Sequence, residues 1–141
     1  MTEVLLMVNE LSDDVLSANV LLAHGSRDPK WQAPFEAIAE TIKKKDKQRG
    51  DSIKSTRIEL SYMELCEPSL EQVCENLAKD GYQMINIYPL FFAAGRHLRI
   101  DVPLQLKDIE QKLGIQTKLH RPVGQEESVQ TAITQVILKQ I

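Results

Sequence analysis

A chain of 141 residues with 17 Lys and Arg against 20 Asp and Glu carries a small negative net charge, which gives no global attraction to nucleic acid or to an anionic membrane. At 43% hydrophobic and 26% charged residues, the composition is that of a folded domain with one core and excludes a disordered class. No apolar run approaches the roughly 20 residues that span a bilayer. The amino-terminal stretch carries Glu3, Glu10, Asp13 and Asp14 with no basic segment ahead of its apolar patch, so it does not read as a secretory signal, and a cytoplasmic protein is expected. Cys66 and Cys74 form no C-x-x-C pair, which leaves them as buried or semi-buried free thiols.

Residues 1–18 read as an extension of uncertain structure, and residues 19–141 as a single domain. NVLLA (19–23) is a short buried strand that stops at His24-Gly25-Ser26-Arg27-Asp28-Pro29, a polar loop leading into a helix with Asp28 as its N-cap. Trp31, Phe35, Ile38, Ala39 and Ile42 recur at helical spacing as the expected inner face. Pro34 predicts a kink or a later start. Across 56–62 the residues Ile58, Leu60 and Tyr62 alternate with Arg57, Glu59 and Ser61, a pattern expected near a sheet edge. Pro68 opens a second helix with Leu70, Val73, Cys74 and Leu77 facing inward, and Gly81 ends it.

Ile85, Ile87, Tyr88, Leu90, Phe91 and Phe92 make a run read as apolar on both faces, as expected of a central parallel strand. After a break at Gly95 comes Arg96-His97-Leu98-Arg99, one imidazole between two guanidinium groups. A third helix follows to about residue 113, with Leu104, Leu106, Ile109 and Leu113 facing inward. A fourth strand is expected at 115–119, a loop at 120–126, and a last helix at 127–141 whose core stripe is Val129, Ile133, Val136 and Ile137.

This alternation predicts an α/β fold, a three-layer open, mainly parallel four-stranded sheet with helices on both faces. Ligands of such sheets bind beyond the carboxyl ends of the strands, where the chain places His24, Glu64, His97 and His120. His24 and His97 taken singly are also compatible with loop histidines making one backbone hydrogen bond. As a pair at two strand ends they point to a divalent metal, which neutral imidazole ligates well. Glu64 reads equally as a solvated residue, and His120 as a structural one. Arg27, Lys30, Arg96 and Arg99 gather at the same rim against the overall negative charge, a setting suited to carboxylates or phosphates. Neither a Walker A sequence nor G-x-G-x-x-G occurs.

LLAHGSRDP (21–29), SYMELCEPSL (61–70) and PLFFAAGRHLRIDVP (89–103), in this order and spacing, resemble the small class II chelatases, the single-domain sirohydrochlorin cobaltochelatases and ferrochelatases of CbiX type. The resemblance implies a chelatase fold of the flavodoxin-like half type and insertion of Fe2+ or Co2+ into sirohydrochlorin without ATP, in siroheme or cobalamin biosynthesis, with Ni2+ as a third metal the ligand types admit. It further implies that His24 and His97 bind the metal substrate with Glu64 assisting, that no permanent cofactor is held, and that the chain forms a homodimer. Arg27, Arg96 and Arg99 are then expected to clamp the carboxylates of the tetrapyrrole, with Phe92 and Tyr62 walling its ring. Asp101 and Pro103 match the family's helix start. Gln125-Glu126 departs from the family's more usual His-Pro, which removes support for a metal role of that loop. A non-catalytic tetrapyrrole or metal carrier would use the same groups. A histidine phosphatase, the remaining alternative, needs Arg before its nucleophilic His, where this chain has Ala23.

Overall fold

The computed structural model describes residues 16–49 and 56–141; residues 1–15 of the expected extension lie outside them. Four strands, β1 (Ser17–Ala23), β2 (Arg57–Tyr62), β3 (Met84–Pro89) and β4 (Gln116–Leu119), form one sheet in the order β2-β1-β3-β4. Every adjacent pair is parallel. The helices between and after them are α1 (Pro29–Lys47), α2 (Leu70–Lys79), α3 (Val102–Leu113) and α4 (Glu127–Leu138). The alternating pattern of β2 indeed marks an edge strand, and β3 lies inside the sheet beside β1. β1 starts at Ser17, two residues before its expected start, and Ala18 already belongs to the core.

Local chemistry sets the helix ends. The Asp28 carboxylate accepts the Lys30 N–H at 2.9 Å and caps α1, which then runs unbroken through Pro34. Ser69, rather than Pro68, starts α2. Its hydroxyl accepts from Gln72 N–H while the Gln72 side chain accepts from Ser69 N–H, so two orphan helix donors are satisfied at once. The strand expected to reach residue 92 ends at Pro89, because Leu90 and the residues after it turn away to reach the rim.

The two faces of the sheet are unequal. On one, Val20, Leu22, Ile85 and Ile87 meet α2 through Leu70, Val73, Cys74 and Leu77, and α3 through Val102, Leu106 and Ile109. Each fully buried aliphatic side chain contributes about 1.5–3 kcal/mol, so this layer dominates stability. Leu104, expected to face inward, is exposed. Among the described residues α1 covers the other face, where the buried cluster is Leu21, Ala39 and Ile58. Of the apolar stripe expected on α1, Ala39 alone is buried, whereas Trp31, Ile38 and Ile42 are exposed. The stripe expected on α4 is likewise no core in this chain: none of its residues is buried, and Val136 and Ile137 are 62% and 54% exposed. Helical periodicity marks an apolar face here, but among the described residues no element buries it.

Candidate functional site

Because all four strands run the same way, their carboxyl ends share one rim. The chain leaves β1 towards one edge and β3 towards the other, so the switch point of the sheet lies between β1 and β3, where α/β sheets open a ligand crevice. His24 directly follows β1, and the segment after β3 leads to His97. The exposed His24 ring lies tilted against the buried Phe91, with ring centroids 4.1 Å apart. Among the described residues its ring nitrogens have no hydrogen-bond partner.

The loop after β1 is fixed by a close backbone approach. Met63 N–H donates to Ala23 O at 2.8 Å and Glu64 N–H to His24 O at 3.1 Å, which extends the pairing of β1 and β2 beyond the strands. Gly25 sits at φ +97°, and a Cβ there would overlap the Glu64 carbonyl oxygen. Only glycine admits this approach without strain. Glu64 is thereby held beside His24 through its backbone, with its side chain exposed. On the other side of the crevice Gly124 plays a similar part: its N–H donates to Phe91 O at 2.9 Å, and a Cβ would lie 2.5 Å from Phe92 Cα.

His97 opens a single π-helical turn, His97–Asp101, that leads into α3. Its Nδ1 lies 2.8 Å from Asp101 Oδ2. With Nδ1–H donating to the carboxylate, the lone pair of Nε2 is left free and the ring is oriented, which is how carboxylates support metal-binding imidazoles. Asp101, read from the sequence as a helix-start residue, is thus a partner of His97, and the i, i+4 spacing was the signal for it. Trp31 is a second residue the sequence reading misplaced. It lies in the first turn of α1 and is 67% exposed.

The other candidates divide. Phe92 is 72% exposed at the rim. Arg27, Arg96 and Arg99 are exposed and, among the described residues, have no ion-pair partner. Tyr62, expected to wall a ring, is 3% exposed with its hydroxyl unpartnered, so it supports the rim from below. Burial, with Glu36 and Cys66 nearby, raises its pKa. His120 stacks on Tyr88 at 4.3 Å and its Nε2 lies 3.2 Å from Asn86 Oδ1, a structural role; burial, then Lys118, lowers its pKa. Cys74 is buried and Cys66 half-buried, both as free thiols. Among the described residues no three His, Cys, Asp or Glu side chains gather to hold a metal.

A small α/β domain thus carries His24 and His97 at one rim of a parallel sheet, with Arg27, Arg96 and Arg99 exposed around them and, among the described residues, without an ion-pair partner. The chain belongs to the CbiX family, whose model matches residues 18–140. It is 29% identical over 110 residues to the sirohydrochlorin cobaltochelatase of Sulfurisphaera tokodaii, covering 78% of this chain and 82% of that one. With the same enzyme of Methanopyrus kandleri it shares 36% identity over 89 residues, 63% of this chain and 57% of the relative. Among solved structures, a CbiX protein from Marinobacter aquaeolei VT8 superposes with a TM-score of 0.74 at 35% identity, covering 88% and 96% of the two chains. The sirohydrochlorin chelatase SirB of Bacillus subtilis subspecies spizizenii, solved in complex with cobalt, gives 0.74 at 25% identity; 89% of this chain corresponds to 51% of that longer one.

Proposed function

We propose that the protein is a metal chelatase that inserts Fe2+ or Co2+ into sirohydrochlorin without ATP, acting as a cytoplasmic homodimer in siroheme or cobalamin synthesis and holding no permanent cofactor. The observation that carries this is the pair His24 and His97 flanking the switch point, with Asp101 leaving Nε2 of His97 free. The names of the relatives supply the substrate class. Insertion exchanges two pyrrole N–H protons for one divalent ion. The imidazoles hold the metal substrate as it sheds water, and Glu64 with the imidazoles accepts the departing protons. Arg27, Arg96 and Arg99 pair with the ring's carboxylates, and Trp31 and Phe92 offer it flat apolar faces.

Single-turnover absorbance of sirohydrochlorin with Fe2+, Co2+ and Ni2+, with and without protein, tests the proposal. Protein-accelerated insertion is expected for Fe2+ or Co2+, and Ni2+ ranks against them in the same assay. Binding without acceleration would instead identify a carrier. His97→Ala is expected to keep its fold, the side chain being 66% exposed, and to lose insertion; insertion at the parent rate would overturn the assignment.

A further inference from the structure

The loop that follows β2 holds one residue in a conformation its side chain resists. Leu65 has φ +68°, and Cys66 N–H donates back to Glu64 O at 2.9 Å. Together these make a γ-turn of the positive-φ kind, which is rare and strained. Among the described residues no other non-glycine residue takes a positive φ, and for a residue as bulky as leucine it is an outlier. The side chain is also 54% exposed, so burial in the chain's own core does not offset the strain.

The turn is held at both ends. Before it, Met63 N–H donates to Ala23 O and Glu64 N–H to His24 O, and Gly25 leaves the space that the Glu64 carbonyl fills. After it, Pro68 O accepts from Tyr62 N–H at 2.9 Å, and the capping box at Ser69 starts α2. Strained residues persist only where their surroundings over-determine them, and they gather where the strain serves binding or catalysis. Glycine at position 65 would close the same turn without strain. Leucine instead sets an apolar side chain in water one residue past Glu64 and its backbone contact with His24.

We propose that Leu65 is a specificity-determining residue of the rim, held out by its γ-turn to pack on the apolar surface of a tetrapyrrole ring. This rests on the chelatase reading above and names the contact made from the β2 side of the site. Guanidinium groups recognise carboxylates whatever carries them, so Arg27, Arg96 and Arg99 alone would admit small anions as well as a macrocycle. A leucine has no polar atom and gains only by covering apolar surface. Small anions offer it none, whereas a ring edged with carboxylates offers both kinds of contact at once. Because Leu65 directly follows Glu64, the apolar contact falls beside the carboxylate that accepts the departing protons.

Three variants test it: Leu65→Ala keeps the positive φ and removes the side chain, Leu65→Gly removes the strain as well, and Leu65→Met keeps the apolar reach. Fluorescence titration with metal-free sirohydrochlorin gives Kd for each, and steady-state insertion gives KM and kcat. Leu65→Ala and Leu65→Gly are expected to weaken binding about 10-fold. KM should rise to match at nearly constant kcat, because a contact made alike in ground and transition state changes KM alone; Leu65→Met is expected to bind like the parent. Thermal unfolding then separates the two truncations. Tm is expected to stay unchanged in Leu65→Ala and to rise by about 2–4 °C in Leu65→Gly, where relief of strain exceeds the added entropy of the unfolded chain. Parent affinity in Leu65→Ala overturns the proposal, and so does a lowered Tm in Leu65→Gly, since leucine would then serve the fold. A changed sedimentation coefficient in Leu65→Ala also overturns it, by setting the side chain against a second copy. A parent chain that binds sirohydrochlorin more tightly than Leu65→Ala but inserts no metal would remove the chelatase reading and leave the contact standing, whereas insertion by the parent with unaltered affinity in Leu65→Ala would do the reverse.

Discussion

Alanine at position 25 perturbs the joint between β1 and the site most directly. An L residue in the left-handed region costs about 1–2 kcal/mol, and Gly25 sits at φ +97°. Its new Cβ would also overlap the Glu64 carbonyl oxygen, so the two loops must separate. Separation breaks the bond from Glu64 N–H to His24 O, worth about 1 kcal/mol. The total is about 2–3 kcal/mol, and at about 3–4 °C per kcal/mol for a domain of this size Tm falls by about 6–12 °C. Gly81→Ala is the control: it shares the positive φ, +95°, but a Cβ there meets nothing within 4 Å, so only the conformational cost of about 1–2 kcal/mol remains. Thermal unfolding by circular dichroism reads both variants, and metal insertion well below Tm reads the displacement of His24 from Glu64. Equal Tm losses for the two variants, with insertion intact in Gly25→Ala, would refute the steric argument.

Asp101→Ala frees the His97 ring and is expected to lower kcat for insertion about 10–100-fold at unchanged Tm, with partial rescue in Asp101→Asn, which keeps an acceptor. His120 has a lowered pKa in the folded chain, so the unfolded chain takes up the proton first as pH falls. Its contribution to stability is complete above about pH 6.5 and is lost as pH drops through the folded value; urea midpoints should decline over that range and decline less in His120→Gln. Burial, then Glu71, pushes the Cys74 thiol up to about 12, so iodoacetamide is expected to add one group to the native protein, at Cys66, and two in urea.

Strand identity was legible from the apolar residues of each segment, Ile85, Ile87 and Tyr88 in one and Ile58, Leu60 and Tyr62 in the other, and the charged Arg57 and Glu59 marked the second as the edge strand. The rim followed from parallel topology alone, since each strand end fixes where its next residue lies. Asp101 was within reach of the same reasoning, since a His and an Asp four apart in a helix face each other. The burial of Tyr62 was not, for alternation says which face a side chain takes and not whether that face is covered near the rim.

The limit of periodicity is clearest in two helices with the same spacing. Leu70, Val73, Cys74 and Leu77 of α2 are buried, whereas Val129, Ile133, Val136 and Ile137 of α4 are not. Nothing in the stripes distinguishes them; the difference lies in the segments that aim them. The capping box at Ser69 starts α2 above its own sheet, while the contacts of Gly124 and Arg121 aim α4 away. Each aliphatic side chain left in water forgoes about 1.5–3 kcal/mol, and α4 forgoes part of it along its stripe. A chain that seals one sheet face so fully has an equal driving force to seal the other.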